Sequence, residues 1–277
     1  MAKWINDLPT YQICKGSAMN VVKTALVTGS SSGIGYGIAK VLLKNGYQVV
    51  LHGIESQAQV APLVKDLSAQ GKVLGYYSVD IGNPEAIAQF CSDLAAAGIN
   101  IDILVNNAGI QHVAPIQEFP VQKWDQVLAV NLSSAFHFMQ HSLPHMQSQK
   151  WGRVINISSC HGIVASANKS AYVTSKHGIV GLTKVAALEN ATLGITCNAI
   201  CPGWVLTPLV QAQIEKRAEE QGISVDQARE NLLLEKQPSG SFATAEEIGE
   251  FVLFLCKPAA AQINGATLTM DGGWTAQ

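Results

Sequence analysis

The chain has 277 residues, enough for one large α/β domain or two small ones, and a formal charge of -2. That balance gives no electrostatic support to nucleic acid or an anionic membrane surface as partner, and no apolar stretch approaches the ~20 residues that cross a bilayer. With 14% charged and 48% hydrophobic residues, the composition suits a parallel sheet covered on both faces, whose strands read as nearly continuous apolar runs.

The N-terminus MAKWINDLPTYQICKGSAMN has no apolar signal core, which predicts a cytoplasmic protein. Residues 1–20 match no regular period and read as an extension, loose or packed on, with Met19 an alternative start. Six cysteines (Cys14, Cys91, Cys160, Cys197, Cys201 and Cys256) are scattered without a disulfide framework, as in a reducing cytosol. Cys197 and Cys201 flank an apolar strand end without a second ligand pair, so buried thiols are expected there rather than a metal site.

The first predicted strand covers residues 24–28. Gly29-Ser30-Ser31-Ser32-Gly33-Ile34-Gly35 follows, and then a helical pattern through Asn45. A glycine-rich turn between strand and helix lets backbone N–H groups approach a pyrophosphate, with the helix dipole aimed at its charge. The spacing is G-x-x-x-G-x-G, and an ordinary tight turn is the plainer alternative. Residues 47–51 form a second strand, followed by His52-Gly53-Ile54. An acid at this point binds a ribose 2′-hydroxyl, and a basic residue accepts a 2′-phosphate. Neither is present, nor is there Lys or Arg among Ser30, Ser31 and Ser32, so NAD is expected over NADP.

Strand and helix units then repeat: a strand at 73–79, a helix at 84–97 and a strand at 101–105. Such alternation implies a parallel sheet with right-handed crossovers. Asp80 could accept from an adenine amino group or cap the helix near Pro84. Asn106-Asn107-Ala108-Gly109 closes the fourth strand with small and amide residues, as a backbone passing close to a cofactor or a plain turn would. Gln111 and His112 follow at the carboxyl edge of the sheet, where ligands gather. A helix predicted over 121–149 holds Asn131 in an apolar stretch, where a buried amide needs partners. His137, His141 and His145 recur along it, a spacing open to a metal but more simply an interface or solvated face.

Residues 153–158 read as a buried strand, with Ser159 at its end and Tyr172 and Lys176 beyond. Tyr172 and Lys176 share one helical face, and a cation near a phenol favours the ionised form, making a proton acceptor closer to neutral pH. Such pairs also occur on solvated helices. Residues 195–200 give a sixth strand ending in Pro202-Gly203-Trp204. Residues 207–237 are a charged helical insertion, a lid or a simple surface excursion. An amphipathic helix at 245–256 and a strand at 267–270 finish one domain over 21–277, with no linker or repeat.

Taken together, TGSSSGIG at 28–35, NNAG at 106–109, Asn131, Ser159, Tyr172, Lys176 and PG at 202–203 resemble the short-chain dehydrogenase/reductase family over nearly the whole length. The resemblance implies a Rossmann-type, doubly wound α/β sheet of about seven strands and a homotetramer. It also implies dinucleotide contacts at Gly29, Ser32, Gly33, Ile34, Gly35, Asp80, Ile81, Asn107, Ala108, Gly109, Tyr172, Lys176, Pro202, Gly203, Val205 and Thr207. Asn131, Ser159, Tyr172 and Lys176 would be catalytic. NNAGIQHVAPIQEFP, SSCHGIVASANKSAYVTSKHG, PGWVLTPLVQAQI and DGGWTAQ are similar to the D-3-hydroxybutyrate dehydrogenase branch. This likeness implies that Gln111, His161, Lys169 and Gln213 hold a small carboxylate substrate between Trp204 and Trp274. Cys160 and the N-terminal extension depart from the pattern without removing a functional group. A cation among neutral donors suits a carboxylate, and Lys169 shares a face with Tyr172 if the helix has begun by then. A reductase of neutral alcohols, sugars or acyl thioesters is the nearest alternative, and a catalytically silent dinucleotide sensor is a more distant one.

Overall fold

Alternate side chains of a strand point to opposite faces of a sheet, and in this chain both sets are apolar. The computed structural model describes residues 22–276, so the predicted N-terminal extension and the start at Met19 lie outside the described residues. Strands β1 (Thr24–Val27), β2 (Gln48–Gly53), β3 (Val73–Ser78), β4 (Ile103–Asn106), β5 (Gly152–Ile157), β6 (Ile195–Pro202) and β7 (Thr267–Met270) form one sheet. Its order is β3-β2-β1-β4-β5-β6-β7, with every neighbouring pair parallel. The helices are α1 (Gly33–Lys44), α2 (Gln57–Ser68), α3 (Pro84–Ala96), α4 (Val121–Leu128), α5 (Ser134–Gln149), α6 (Ser170–Asn190), α7 (Pro208–Gln221), α8 (Val225–Leu234) and α9 (Ala245–Leu255). This is the doubly wound Rossmann-type architecture expected from the strand–helix alternation.

On one face Ala25, Val27, Val49 and Leu51 pack against Ile38 and Leu42 of α1 and Ile248 and Val252 of α9. On the other, Leu26, Val50 and Leu104 meet Ile87 and Phe90 of α3, Phe138 of α5 and Ile179 of α6. Each of the buried Val, Leu, Ile and Phe side chains contributes about 1.5–3 kcal/mol relative to exposure. Two glycines let α1 and α9 touch: a Cβ on Gly37 would lie 2.6 Å from the Ala245 carbonyl carbon, and one on Gly249 3.0 Å from the Gly37 oxygen. The order reverses between β1 and β4, so their carboxyl ends open a crevice.

Several local expectations change. The helix over 121–149 breaks into α4 and α5, joined by a π turn at Ala129–Ser133 that carries the buried Asn131. As in the predicted helix, α5 runs on through Pro144. Helix α2, which the sequence analysis does not assign, begins with a capping box at Ser56 and Gln59. Asn83 rather than Asp80 caps α3, its side chain accepting from the Ala86 N–H, while Asp80 accepts from the Gly82 N–H at 2.9 Å. The histidine row on α5 divides its contacts. His145 Nε2 lies 3.5 Å from Asp102, and His137 stands edge-on to Phe136. Cys197 and Cys201 are buried free thiols. Among the described residues no helix is long and apolar enough to cross a membrane.

Candidate active site

The glycine-rich turn stands at the crevice, and its shape follows from its neighbours. Gly29 has φ +64°, and a Cβ on Gly35 would run into the Gly29 carbonyl. Asn107, at the end of β4, locks this turn: its Nδ2 donates to the carbonyls of Thr28 and Gly29 at 2.9 and 3.1 Å. The Asn107 and Ala108 N–H groups donate to Thr28 Oγ1. NNAG therefore clasps β1 to β4. Ser32 precedes α1 without a side-chain cap, so the first N–H groups of the helix face the crevice. A glycine- and serine-rich turn leading into an uncapped helix at the switch point fits the pyrophosphate of a nicotinamide dinucleotide. Gly29, Ser32, Gly33, Ile34 and Gly35 would hold it there, with Asp80 and Ile81 beyond the end of β3 on the adenine side.

The His52 ring turns inward at the end of β2. It is 2% exposed; its Nδ1 accepts from the Gly29 N–H at 3.2 Å, and its Nε2 donates to the Val79 carbonyl at 3.1 Å. Burial pushes its pKa down to about 4. The nearest acid lies farther along, at Glu55.

Asn131, at the π turn, accepts from the Ile110 N–H at 2.8 Å and donates to the Ile110 carbonyl at 2.9 Å and to Ser175 Oγ at 3.2 Å. It thus meets the expected need of a buried amide by clamping the backbone after NNAG. Lys176 Nζ donates to the Ile157 carbonyl at 2.8 Å and lies 5.6 Å from the Tyr172 ring centroid. In the protein alone, Lys176 does not make the phenol acidic. Burial pushes Tyr172 up to about 12, against a downward pull from the Ser159 hydroxyl, and pushes Lys176 down to about 8. Desolvation disfavours both charged forms, so the acidic phenol expected from the Tyr172–Lys176 pair is not present in the protein alone.

Ser159 and Tyr172 open into a cavity of about 180 Å³. All six residues expected around a substrate line it: Gln111, His161, Lys169, Trp204, Gln213 and Trp274. Ile34, Gly203, Val205 and Thr207, expected to contact a dinucleotide, line it as well, while Asn131 and Lys176 are buried. Lys169 is not on the helical face of Tyr172, because α6 begins one residue later and Lys169 is its N-cap. Its ammonium still reaches the cavity, 5.9 Å from the Trp204 ring. Burial lowers its pKa, and among the described residues no carboxylate stands within ion-pair distance of it. His161 packs edge-on to both Tyr172 and Trp274, with Nε2 2.8 Å from Ser166 Oγ. Burial, then Lys169, push it down to about 4, so it serves as a neutral polar group.

Two supporting residues escape sequence reasoning. Gln237, 2% exposed after α8, accepts from the Trp204 N–H at 2.8 Å and so fixes one aromatic wall. Val210, in the first turn of α7, completes the cavity. Helices α7 and α8 pack on Trp204 through Ile214, Ala218, Ala228 and Leu232, so the predicted insertion covers this site with a small core of its own.

The two buried neutral imidazoles carry a consequence for acid stability. Each has an ordinary pKa of 6.5 and a native value of about 4. Within that window the unfolded chain takes up protons that the native state refuses, so stability is complete above pH 6.5 and falls as the pH drops toward 4. The slope is up to about 1.4 kcal/mol per pH unit for each group. The Tm should decline from pH 7 to pH 5, and a His52→Gln variant should decline less steeply. Parallel curves would contradict the assignment for His52.

Comparison with known proteins agrees with this geometry. A family model described as enoyl-(acyl carrier protein) reductase matches residues 29–275. A D-beta-hydroxybutyrate dehydrogenase of Cupriavidus necator is 53% identical over 256 residues, 92% of this chain and 98% of that protein. One from Rhizobium meliloti is 47% identical over 259 residues, 93% and 100% of the two chains. A solved structure from Agrobacterium tumefaciens, provisionally a 2-deoxy-D-gluconate 3-dehydrogenase with bound NADP, superposes with a TM-score of 0.79 at 32% identity. It covers 92% of this chain and 97% of that one. Fold, motif spacing and full-length relatives converge: the chain belongs to the short-chain dehydrogenase/reductase family, whose members bind a nicotinamide dinucleotide.

Proposed function

We propose that this enzyme interconverts (R)-3-hydroxybutyrate and acetoacetate with NAD. The observation that carries the reading is the half-buried Lys169 ammonium facing a cavity of about 180 Å³ that also contains Ser159 and Tyr172. A cavity below the ~300–1,000 Å³ of drug-sized pockets suits a substrate of few heavy atoms. Lys169, Gln111, His161 and Gln213 grip the carboxylate by charge-assisted and neutral hydrogen bonds. Trp204 and Trp274, whose ring centroids are 5.9 Å apart, wall the short carbon chain. The names of the relatives from Cupriavidus necator and Rhizobium meliloti support the same substrate.

When bound, oxidised nicotinamide supplies the hydride acceptor. Ser159 Oγ fixes the C3 oxygen, and Tyr172 Oη takes its proton. Lys176 keeps a positive charge behind the phenol, and Asn131 holds the adjoining backbone. NAD is preferred to NADP because the phosphate-facing turn, Ser30 to Ser32, offers no cation for a 2′-phosphate. A cytoplasmic location accords with free thiols at Cys91, Cys160, Cys197, Cys201 and Cys256. Assembly as a homotetramer would cover Phe136 on α5, Val185 and Leu188 on α6 and Phe254 on α9, which are 48, 51, 80 and 40% exposed.

The test is the initial rate of NADH formation from (R)-3-hydroxybutyrate and from its methyl ester. Esterification removes the charge that Lys169 meets, so kcat/KM should fall by about tenfold or more, the worth of a hydrogen bond to a charged group. Equal rates on the two would move the enzyme to a neutral substrate. No NADH from either would sink the proposal.

A further inference from the structure

Among the described residues two that are not glycine have a left-handed backbone, Lys150 at φ +49° and Asn168 at φ +66°. Lys150 is the C-cap of α5, where such a residue is an ordinary way to end a helix. Asn168 ends no helix. It stands in the loop before α6, one residue ahead of Lys169. The left-handed region is disfavoured for any residue with a Cβ, least so for Asn, and residues held there gather at ligand clamps. Here the conformation accompanies one backbone contact: the Asn168 carbonyl accepts from the Ala114 N–H at 3.0 Å. The Asn168 side chain itself is exposed.

That contact joins two segments that carry the cavity's polar groups. Residues 107–115, after β4, belong to no helix or strand. Between Gly109 and Ala114 their backbone is held at two points, Ile110 by the Asn131 amide at 2.8 and 2.9 Å and Ala114 by Asn168. Gln111 lies between these pins. On the other side of the clasp Lys169 follows Asn168 directly, and Ser166, two residues before it, sits 2.8 Å from His161 Nε2. Three of the four groups proposed to grip the carboxylate are thus tied to one bond. We infer that Asn168 is a positioning residue for the substrate carboxylate, its left-handed backbone holding the Gln111 loop and the Lys169 turn together over the cavity. The inference rests on the proposed carboxylate substrate and names the element that pre-forms its site. A side chain that favours other backbone conformations would open the clasp without touching the substrate or the core.

Steady-state kinetics of full-length Asn168→Val and Asn168→Gly, with (R)-3-hydroxybutyrate and its methyl ester, test the role. Valine, branched at Cβ, is a poor occupant of the left-handed region, whereas glycine enters it freely. Asn168→Val should raise KM for the acid by about 5- to 30-fold, because only the fraction of molecules with the clasp closed binds well. Its kcat and its calorimetric dissociation constant for NAD should hardly change, and its preference for the acid over the ester should shrink by the same factor. Asn168→Gly should restore both KM and the preference to near the wild-type values. A Val variant with wild-type KM and preference, even one with a lower Tm, overturns the role, since Asn168 would then serve the fold alone. A loss confined to kcat overturns it too, as does a Gly variant as impaired as the Val one, which would implicate the side chain. Each of these leaves the carboxylate reading intact while the wild type prefers the acid; a wild type without that preference overturns both. Should Asn168→Val fail to fold, Asn168→Ala, which meets a milder form of the same restriction, should move KM and the preference in the same direction, and no movement there overturns the role.

Discussion

Tyr172→Phe is expected to lose about 10²–10⁴-fold in turnover while the protein still binds the dinucleotide. The variant deletes one oxygen and keeps the ring that packs edge-on against His161 at 5.9 Å, so any loss belongs to the proton rather than to packing. In the protein alone this phenol is pushed up to about 12 and stays protonated at neutral pH. Its conversion into an acceptor needs positive charge close by. Lys176 is one source, although its Nζ is tied to the Ile157 carbonyl and burial has brought its pKa down to about 8. Oxidised nicotinamide carries the other. Below the phenol pKa the ionised fraction grows about tenfold per pH unit, so wild-type kcat/KM for oxidation should rise with pH through neutrality. That limb should end where Lys176 begins to lose its proton. The residual rate of Tyr172→Phe should lack the rising limb. A variant that turns over normally, or that keeps the limb, would remove Tyr172 from proton transfer.

What the sequence reveals and what it hides divide along physical lines. Buried parallel strands are apolar on both faces, so β1, β2, β4, β5 and β6 stand out as runs, and turn residues mark their ends. Ser159, Tyr172 and the six residues expected around a substrate are scattered over the chain, yet they meet in one cavity, because parallel strands place all their carboxyl ends at one edge. The π turn at Asn131 is not legible, since five residues of ordinary helical character conceal one widened turn. Lys169 shows a different limit. Spacing puts it a turn before Tyr172, but helix boundaries are uncertain by a residue or two, and one residue decides between helix and cap. Gln237 is hidden for a third reason: its side chain folds back on a distant neighbour, the backbone of Trp204. No periodicity records such a return. The pKa pattern is equally invisible, because a lysine four residues from a tyrosine implies a lowered phenol until the depth of burial is known.

Lys169→Ala should lower kcat/KM for (R)-3-hydroxybutyrate through KM, with kcat little changed. Removing one partner of a buried, hydrogen-bonded charge pair costs about 2–5 kcal/mol, or roughly 30- to several-thousand-fold. The lower end is expected here, because Gln111, His161 and Gln213 remain and the cavity is open enough for water to replace part of the contact. The effect falls on KM because the ammonium meets the carboxylate at the end of the molecule remote from the reacting carbon. A contact made equally in ground and transition states changes binding without changing the chemical step. The position of Lys169 makes the variant clean: as the N-cap of α6 it offers no side-chain cap to lose, and among the described residues it belongs to no ion pair. Only the stacking over Trp204 at 5.9 Å is surrendered, and Lys169→Met, which keeps an apolar stem there, controls for it. Both variants should also lose most of the preference for the free acid over its methyl ester, because the charge that distinguishes the two has gone. If the preference survives intact, some other group holds the carboxylate. If the loss appears in kcat alone, Lys169 acts on the reacting centre, and the cavity binds its substrate in the opposite orientation.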